Sequence, residues 1–194
     1  TDKDTGGIEL KFGSAKALTD LAELCGRGEA FGAEIGLGSK LLCAKHGKPE
    51  LSMSVKGQEF PAYDSRGIQG MGLTYATSNR GACHLRSYTV ASEILGIPEK
   101  TDPLSADGKA GLVKAFQDAT AAFDSAGLCI FTSFAWSLED VAPQIDAACE
   151  GEWSSATLLE VGERIWNLER KFNNAAGFTA KDDNLPARLL KDAA

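Results

Sequence analysis

Apolar residues recur at helical spacing over most of this chain, with polar residues between them. Two stretches carry the strongest signal, and each predicts an amphipathic helix with one buried face. The first has its apolar positions at Leu112, Val113, Phe116, Ala119 and Phe123. The second, over residues 156–172, has them at Leu158, Val161, Ile165, Leu168 and Phe172.

Shorter elements complete the prediction. Further helices are predicted over residues 14–25, 30–45, 71–77 and 85–95, and from a capping box at Ser137 to Ala148. Alternating apolar and polar residues at 51–55 predict one short strand, with a partner near residues 58–61. The apolar run 128–134 is expected to be buried. The predicted fold class is therefore mainly α, with several helices and one short strand or hairpin.

Composition and charge narrow the classes of partner. The chain has 194 residues, 43% of them hydrophobic, which suits one large folded domain or two small ones. A formal net charge of -7 argues against nucleic acid or an anionic membrane as partner, because both attract a basic face. No apolar run is long enough to span a membrane, and no signal peptide opens the sequence. Five cysteines without tight pairing indicate a reducing, cytoplasmic compartment.

Two segments hold polar groups that helix packing alone does not require. Residues 70–86 form a run rich in small residues that ends in Cys-His-Leu-Arg, and residues 124–129 read Asp-Ser-Ala-Gly-Leu-Cys. An acid, a glycine and a thiol so spaced at a helix end offer a carboxylate acceptor, a close backbone approach and a soft metal ligand. This combination predicts a cofactor-binding surface.

Each residue of these segments also has a plainer interpretation. His84 can transfer protons near neutral pH or bind a metal, and a buried structural histidine remains the alternative. Asp124 opposes the dipole at the end of its helix, which hints at another use for the carboxylate. Arg80 and Arg86 could bind phosphate or carboxylate, or pair with the chain's own acids. Cys129 alone does not make a metal site.

The other cysteines and the second histidine have simpler roles. Cys25 and Cys43 lie on apolar helical faces and are interpreted as core thiols, and Cys149 is interpreted in the same way. His46, between lysines at a helix end, suits a surface residue that complements the helix dipole. No nucleophile elbow, dinucleotide-binding fingerprint or phosphate-binding loop is present.

Three segments together resemble the aldehyde:ferredoxin oxidoreductase family. They read GMGLTYATSNRGACHLR at 70–86, DSAGLC at 124–129, and ERIWNLERKFN, GFT and KDDNLP within 163–186. The segments occur in the family's order, and the resemblance covers most of the chain from about Gly57. It implies the helical C-terminal part of such an enzyme, with residues 1–56 ending its second domain and residues 57–194 forming most of its third.

The resemblance implies a cofactor and a reaction. Family members carry tungsten, or sometimes molybdenum, on two molybdopterin dithiolenes beside a 4Fe–4S cluster. They oxidise small aldehydes to carboxylic acids and pass electrons to ferredoxin. A related branch reduces carboxylic or aromatic acyl substrates, and the sequence does not exclude it.

The resemblance also implies roles for single residues. Asp124 would accept hydrogen bonds from a pterin ring, Gly127 and Leu128 would lie against the same cofactor, and Arg86 would touch it. Cys129 would be one of the four cluster ligands. His84 would stand near the metal as the catalytic group that transfers a proton or orients the substrate.

Other features of the family have no match in this sequence. Its remaining cluster ligands come from a Cys-x-x-Cys-x-x-x-Cys run, which is absent here, and its N-terminal β-rich domain has no counterpart. One thiolate cannot hold a cubane cluster, so the chain is expected to be inactive alone. Its partner would be the missing N-terminal region or a subunit that supplies it. The alternative is a non-catalytic helical scaffold derived from the family.

Overall fold

The computed structural model describes residues 5–192, and these divide into two compact units. One unit ends at Ser54 and the other begins at Val55. Their assignment to the second and third domains of an oxidoreductase remains a prediction. No helix in residues 5–192 is long and apolar enough to cross a membrane.

The first unit is helical. It contains α1 (Ala15–Arg27), α2 (Ala30–Ile35), α3 (Gly38–Lys45) and a 3₁₀ turn (Pro49–Leu51). The Ser14 hydroxyl caps α1 by accepting from the Ala17 amide over 3.1 Å. A Cβ on Gly32 would overlap the backbone of Leu24, so this glycine lets α2 pack directly on α1.

The predicted single helix over residues 30–45 is wrong. The chain breaks between α2 and α3, where Gly38 takes a φ of 77° that glycine adopts without steric cost. The strand predicted at 51–55 is also shorter than expected, because Pro49 begins a 3₁₀ turn there. Only Ser54–Val55 forms β1, which pairs with β2 (Gln58–Glu59) in a two-stranded hairpin. The mainly α fold class with one hairpin is confirmed for residues 5–192.

The second unit contains the longer helices. These are α4 (Gln69–Thr77), α5 (Lys109–Ser125), α6 (Leu138–Ala148), α7 (Ser155–Ala175) and α8 (Ala187–Lys191). The capping box predicted at Ser137 is confirmed, because the Ser137 amide donates to Asp140 Oδ2 over 2.8 Å. A further 3₁₀ turn, Ala180–Asp182, precedes α8.

The helix predicted over residues 85–95 is wrong. The structure has a 3₁₀ turn (Leu85–Ser87) and, after a bend, one turn of π-helix (Ala91–Leu95). The bend lies at Tyr88, whose ψ of 68° is not helical. The Ser87 hydroxyl donates to the Val113 carbonyl over 3.2 Å, which holds the 3₁₀ turn against α5.

Helices α5 and α7 pack with their backbones in contact. A Cβ on Gly162 of α7 would overlap the backbone of Asp118 in α5, so only glycine allows this approach. Four residues further along α7, the Trp166 indole donates to the Gln117 carbonyl over 2.7 Å. The apolar face predicted for α7 is only partly buried, because Leu168 and Phe172 are 68% and 74% exposed.

A buried carboxylate caps the start of α4. Glu93 is fully buried, and its Oε1 accepts from the Gly70 amide over 2.9 Å and from Lys109 Nζ over 2.7 Å. The negative charge therefore lies at the positive end of the α4 dipole. A Cβ on Gly70 would come within 2.6 Å of Glu93 Oε2 and 2.9 Å of Thr89 Oγ1, so this position has no room for a side chain.

The apolar run 128–134 is less buried than predicted. It forms a 3₁₀ turn (Ile130–Phe134) in which Phe131 is 56% exposed. Leu128 and Ile130 pack against a core formed by α5, α6 and α7. The Phe131 and Phe134 rings stack on each other with centroids 5.8 Å apart.

Candidate functional site

Arg86 is the centre of a charged cluster in the second unit. It lies in the 3₁₀ turn Leu85–Ser87, and its side chain is only 11% exposed. Nη1 donates to Asp124 Oδ2 over 3.2 Å, and Nη2 donates to both carboxylate oxygens of Glu169 over 2.7 Å. The guanidinium also lies over the Trp166 ring, 5.2 Å from its centroid. These contacts fix its position on three sides.

The segment that contains Asp124 forms the C-terminal cap of α5. Gly127 has a φ of 74°, and its amide donates to the Asp124 carbonyl over 3.1 Å. The Leu128 amide donates to the Phe123 carbonyl over 3.1 Å, which completes a Schellman cap. Leu128 then packs into the core and anchors the turn. The Asp124 side chain is left 42% exposed, with Arg86 beside one of its oxygens.

Cys129 follows this cap directly and is exposed. Its carbonyl accepts from the Thr132 amide over 2.9 Å, and its thiol is free. Cys149 is also exposed, so its interpretation as a core thiol is wrong, whereas Cys25 and Cys43 are half-buried. Within residues 5–192, no group of three His, Cys, Asp or Glu side chains is placed to hold a metal ion.

His84 is enclosed by two tyrosines. The centroid of its ring lies 5.6 Å from that of Tyr63 and 6.0 Å from that of Tyr88. Burial lowers the pKa of His84, and the positive charge of Arg80 lowers it further. The imidazole is therefore neutral near pH 7 and can accept a proton.

The two tyrosines are joined by their hydroxyls. The Tyr63 and Tyr88 oxygens are 2.7 Å apart, within hydrogen-bond distance. Burial, followed by this hydrogen bond, raises the pKa of Tyr88 to about 12. The Tyr88 side chain is thus uncharged near pH 7, and its hydroxyl is engaged with Tyr63.

The structure brings some of the predicted residues together. Arg86 contacts Asp124, and Cys129 lies at the end of the same turn as Gly127 and Leu128. His84 precedes Arg86 by two residues, and the ring contacts that the structure gives it are with tyrosines.

Sequence reasoning missed the residues that position this site. Glu169 and Trp166 both hold Arg86, and both lie in the late segment that carries the family resemblance. Tyr88 stands four residues after His84 in the sequence, a spacing that gave no chemical signal on its own.

The chemistry of this surface fits one wall of a cofactor site. A carboxylate with an accessible oxygen accepts from ring N–H groups, and an exposed thiol is a soft metal ligand. A Cβ on Gly127 would meet nothing within 4 Å, so the turn is open on that side. One thiol and one carboxylate do not complete a metal site, so the remaining ligands would have to come from elsewhere.

Comparison with known proteins decides the family. A sequence model described as "Aldehyde ferredoxin oxidoreductase, domains 2 & 3" matches residues 1–194. The chain belongs to the aldehyde ferredoxin oxidoreductase family. The resemblance found in the sequence is therefore confirmed.

Curated relatives agree with this assignment. The chain is 45% identical over 185 residues to a tungsten-containing aldehyde ferredoxin oxidoreductase of Pyrococcus furiosus, covering 94% of the chain and 31% of that protein. It is 42% identical to the enzyme of the same name from Thermococcus kodakarensis, over 99% of the chain and 32% of that protein. The chain thus spans about a third of the length of the curated relatives it matches.

Proposed function

We propose that this chain forms one wall of the active site of a tungsten-containing oxidoreductase that oxidises aldehydes to carboxylic acids. One observation carries the proposal: Arg86 holds the Asp124 carboxylate beside a turn that ends in an exposed thiol, Cys129. Two relatives are named as tungsten-containing aldehyde ferredoxin oxidoreductases. By analogy with these names, ferredoxin would accept the electrons.

The chain's own residues would bind one face of a tungsten- or molybdenum-bearing bis-molybdopterin. Asp124 would accept hydrogen bonds from the pterin ring, while Arg86 orients the carboxylate and adds a donor. Gly127 would leave room for the ring, and Leu128 would anchor the turn in the core. The bound cofactor would supply the oxidation chemistry, and the protein supplies orientation and charge.

Cys129 would ligate an iron–sulfur cluster together with cysteines that this chain does not contain. Because one thiolate cannot hold such a cluster, the chain alone is expected to bind no metal and to be inactive. Its partner would be the region, or the subunit, that carries the remaining ligands. The five free cysteines suit a reducing, cytoplasmic setting.

His84 would accept or return a proton near the substrate. Its lowered pKa keeps the imidazole neutral near pH 7, as a proton acceptor requires. The Tyr63 and Tyr88 rings hold it in place.

The test compares this chain with a complete enzyme that contains it. Both would be purified without oxygen, and tungsten, molybdenum and iron would be measured together with aldehyde-dependent reduction of ferredoxin. We expect near-zero metal in the chain alone, and metal with aldehyde oxidation in the complete enzyme. Asp124→Asn should lower the tungsten content of the complete enzyme.

The other outcomes separate the alternatives. A complete protein that binds no metal would support a scaffold role and overturn the proposal. A metal-loaded protein that reduces acyl substrates but oxidises no aldehyde would place the chain in the related branch. Stoichiometric metal in the chain alone would show that the assignment of ligands is wrong.

A further inference from the structure

Lys56 is a buried lysine in the turn between β1 and β2. Its side chain is only 3% exposed, although it carries a full positive charge. Nζ donates to the carbonyls of Ala76 and Ser78, each over 3.1 Å, and lies 2.6 Å from Asp183 Oδ1. An ammonium group has three N–H donors, so these three acceptors can take all of them.

The backbone of this turn does not favour lysine. Lys56 has a φ of 51°, and the following Gly57 has a φ of 88°. Two-residue hairpin turns with this backbone usually have asparagine, aspartate or glycine at the first position, because bulkier residues adopt a positive φ at a steric cost. The contacts of the side chain, rather than the turn, therefore account for a lysine at this position.

A second cation contacts the same end of α4. Arg170 of α7 donates through Nη2 to the Thr77 carbonyl and through Nη1 to Asp183 Oδ1, each over 3.0 Å. Asp183 therefore bridges Lys56 and Arg170. The carbonyls of residues 76–78 all accept from these two cations, at the negative end of the α4 dipole. The end of α4 is thus held from two sides, by the hairpin turn and by α7.

Lys56 holds the beginning of the segment that leads to His84. Residues 79–83 join the end of α4 to His84 and form neither helix nor strand. A Cβ on Gly81 would come within 2.6 Å of the Val55 carbonyl oxygen, so this segment also packs against the residue that precedes Lys56. The position of His84 therefore depends on these contacts as well as on the 3₁₀ turn that follows it.

We propose that Lys56 is a positioning residue for proton transfer by His84. By fixing the end of α4, it sets the course of residues 79–83 and so the place of the imidazole. The inference rests on the proposed role of His84 and adds a residue that is not among those proposed to bind the cofactor. Proton transfer requires an acceptor within hydrogen-bond distance of the proton, and a misplacement of about 1 Å caused by a distant change can lower a rate about 10²-fold. A purely structural cap would support folding and leave the place of His84 unchanged.

The first experiment needs neither metal nor turnover. Lys56→Met removes the ammonium group, and NMR on this chain follows the ring-proton signals of His84, with His46→Gln in every sample to leave one histidine. The ring centroids of Tyr63 and Tyr88 lie 5.6 and 6.0 Å from that of the imidazole, so their ring currents make these signals sensitive to its position. We expect the His84 signals to shift or broaden in Lys56→Met.

Lys114→Met is the matched control. Lys114 also pairs with carboxylates, Asp118 over 2.6 Å and Glu163 over 3.3 Å, but it is 57% exposed and its partners lie on α5 and α7. The His84 signals should stay unchanged in this variant. The inference fails if Lys56→Met also leaves them unchanged, or if both variants shift them alike. Lys56→Gln, which keeps an amide donor, replaces Lys56→Met if the latter does not fold, and the same outcomes decide.

The second experiment uses the complete enzyme and separates the two proposals. Lys56→Met should lower kcat per bound tungsten about tenfold or more, with KM for the aldehyde changed by less than about twofold. Lys56→Arg, which keeps the charge and the donors, should recover most of the lost kcat. If His84→Gln lowers kcat and Lys56→Met does not, the inference fails and the proposed function stands. If neither substitution lowers kcat, the proposed role of His84 fails as well. An enzyme that oxidises no aldehyde overturns the proposed function itself.

Discussion

Arg86 Nη1 donates to the Asp124 carboxylate over 3.2 Å and so joins two residues that are 38 positions apart in the sequence. The same guanidinium donates to both oxygens of Glu169 and covers the ring of Trp166. The end of α5, the 3₁₀ turn and α7 therefore meet at one side chain. This contact joins two of the predicted cofactor residues through their side chains.

Replacing Arg86 by Ala should destabilise the second unit by about 2 kcal/mol. Hydrogen bonds to charged groups contribute about 1.5–3 kcal/mol, and the partial exposure of both carboxylates reduces that value. The stability of Arg86→Lys should lie between that of the unaltered protein and that of Arg86→Ala, because lysine keeps the positive charge but loses the forked geometry of the guanidinium. Chemical denaturation followed by Trp fluorescence measures the effect.

Arg188→Ala is the matched control. Arg188 pairs with Asp192 on α8, and both side chains are more than half exposed. Its loss should change the free energy of unfolding by less than about 0.5 kcal/mol. Equal effects at the two arginines would mean that the Arg86 cluster is an ordinary surface ion pair.

Gly70→Ala should destabilise the protein by about 1–3 kcal/mol. The added methyl group would meet Glu93 Oε2 and Thr89 Oγ1, both fully buried, with no space to move into. Displacing Glu93 would also weaken its contacts with the Gly70 amide and Lys109. Thermal unfolding of the variant should show a clearly lower midpoint.

Gly111→Ala controls for the helix propensity of alanine. Gly111 lies in α5, and a Cβ there would meet nothing within 4 Å. This substitution should stabilise the protein by up to about 1 kcal/mol. If Gly70→Ala is also neutral or stabilising, the packing around Glu93 is looser than described.

His84 should titrate below the ordinary histidine pKa of about 6.5. Burial and Arg80 both favour the neutral ring, so the unfolded chain binds the proton more readily than the folded one. The associated stability is complete above the unfolded pKa and is lost as pH falls towards the lower folded pKa. NMR of the imidazole signals measures this, and His46→Gln leaves one histidine for assignment. A pKa at or above the ordinary value would contradict it.

His84→Gln in the complete enzyme tests the proton-transfer role. We expect kcat to fall by about 10²–10⁴, the usual contribution of a general acid or base, with tungsten content near normal. The pH dependence of the remaining activity should lose its lower limb. Unchanged turnover across pH would remove His84 from the mechanism.

Cys129→Ala in the complete enzyme tests cluster ligation. Loss of one of four thiolates should abolish or severely weaken binding of the iron–sulfur cluster. Cys149→Ala is the control, since both thiols are exposed and neither supports the core. The measurement is the iron content per protein together with the electron paramagnetic resonance signal of the reduced cluster. Iron unchanged in Cys129→Ala would refute the assignment.

The elements that sequence reasoning predicted well depend on local signals. The start of α1, the capping box at Ser137 and the apolar face of α5 are each specified by residues within a few positions of one another. The end of α5 is also specified locally, because Gly127 takes a positive φ that stops the helix.

The missed features depend on contacts between distant parts of the chain. The bend at Tyr88 and the 3₁₀ turn before it are held by α5, so helical spacing over residues 85–95 was misleading. The exposure of Leu168 and Phe172 could not be predicted from periodicity. Periodicity identifies the apolar face of a helix but does not show which part of that face packs against another element. The roles of Glu169 and Trp166 required knowledge of where Arg86 points.

The close contact of Gly162 with the backbone of Asp118 means that a substitution at Gly162 would disturb the proposed cofactor-binding residues from a distance. A methyl group at Gly162 would push α5 and α7 apart. Glu169 lies seven residues further along α7, about 10 Å at the helical rise of 1.5 Å per residue, so a small tilt at Gly162 would carry its carboxylate away from Arg86. In an assay, such a substitution would resemble a defect in cofactor loading, although Gly162 is not among the residues proposed to bind the cofactor.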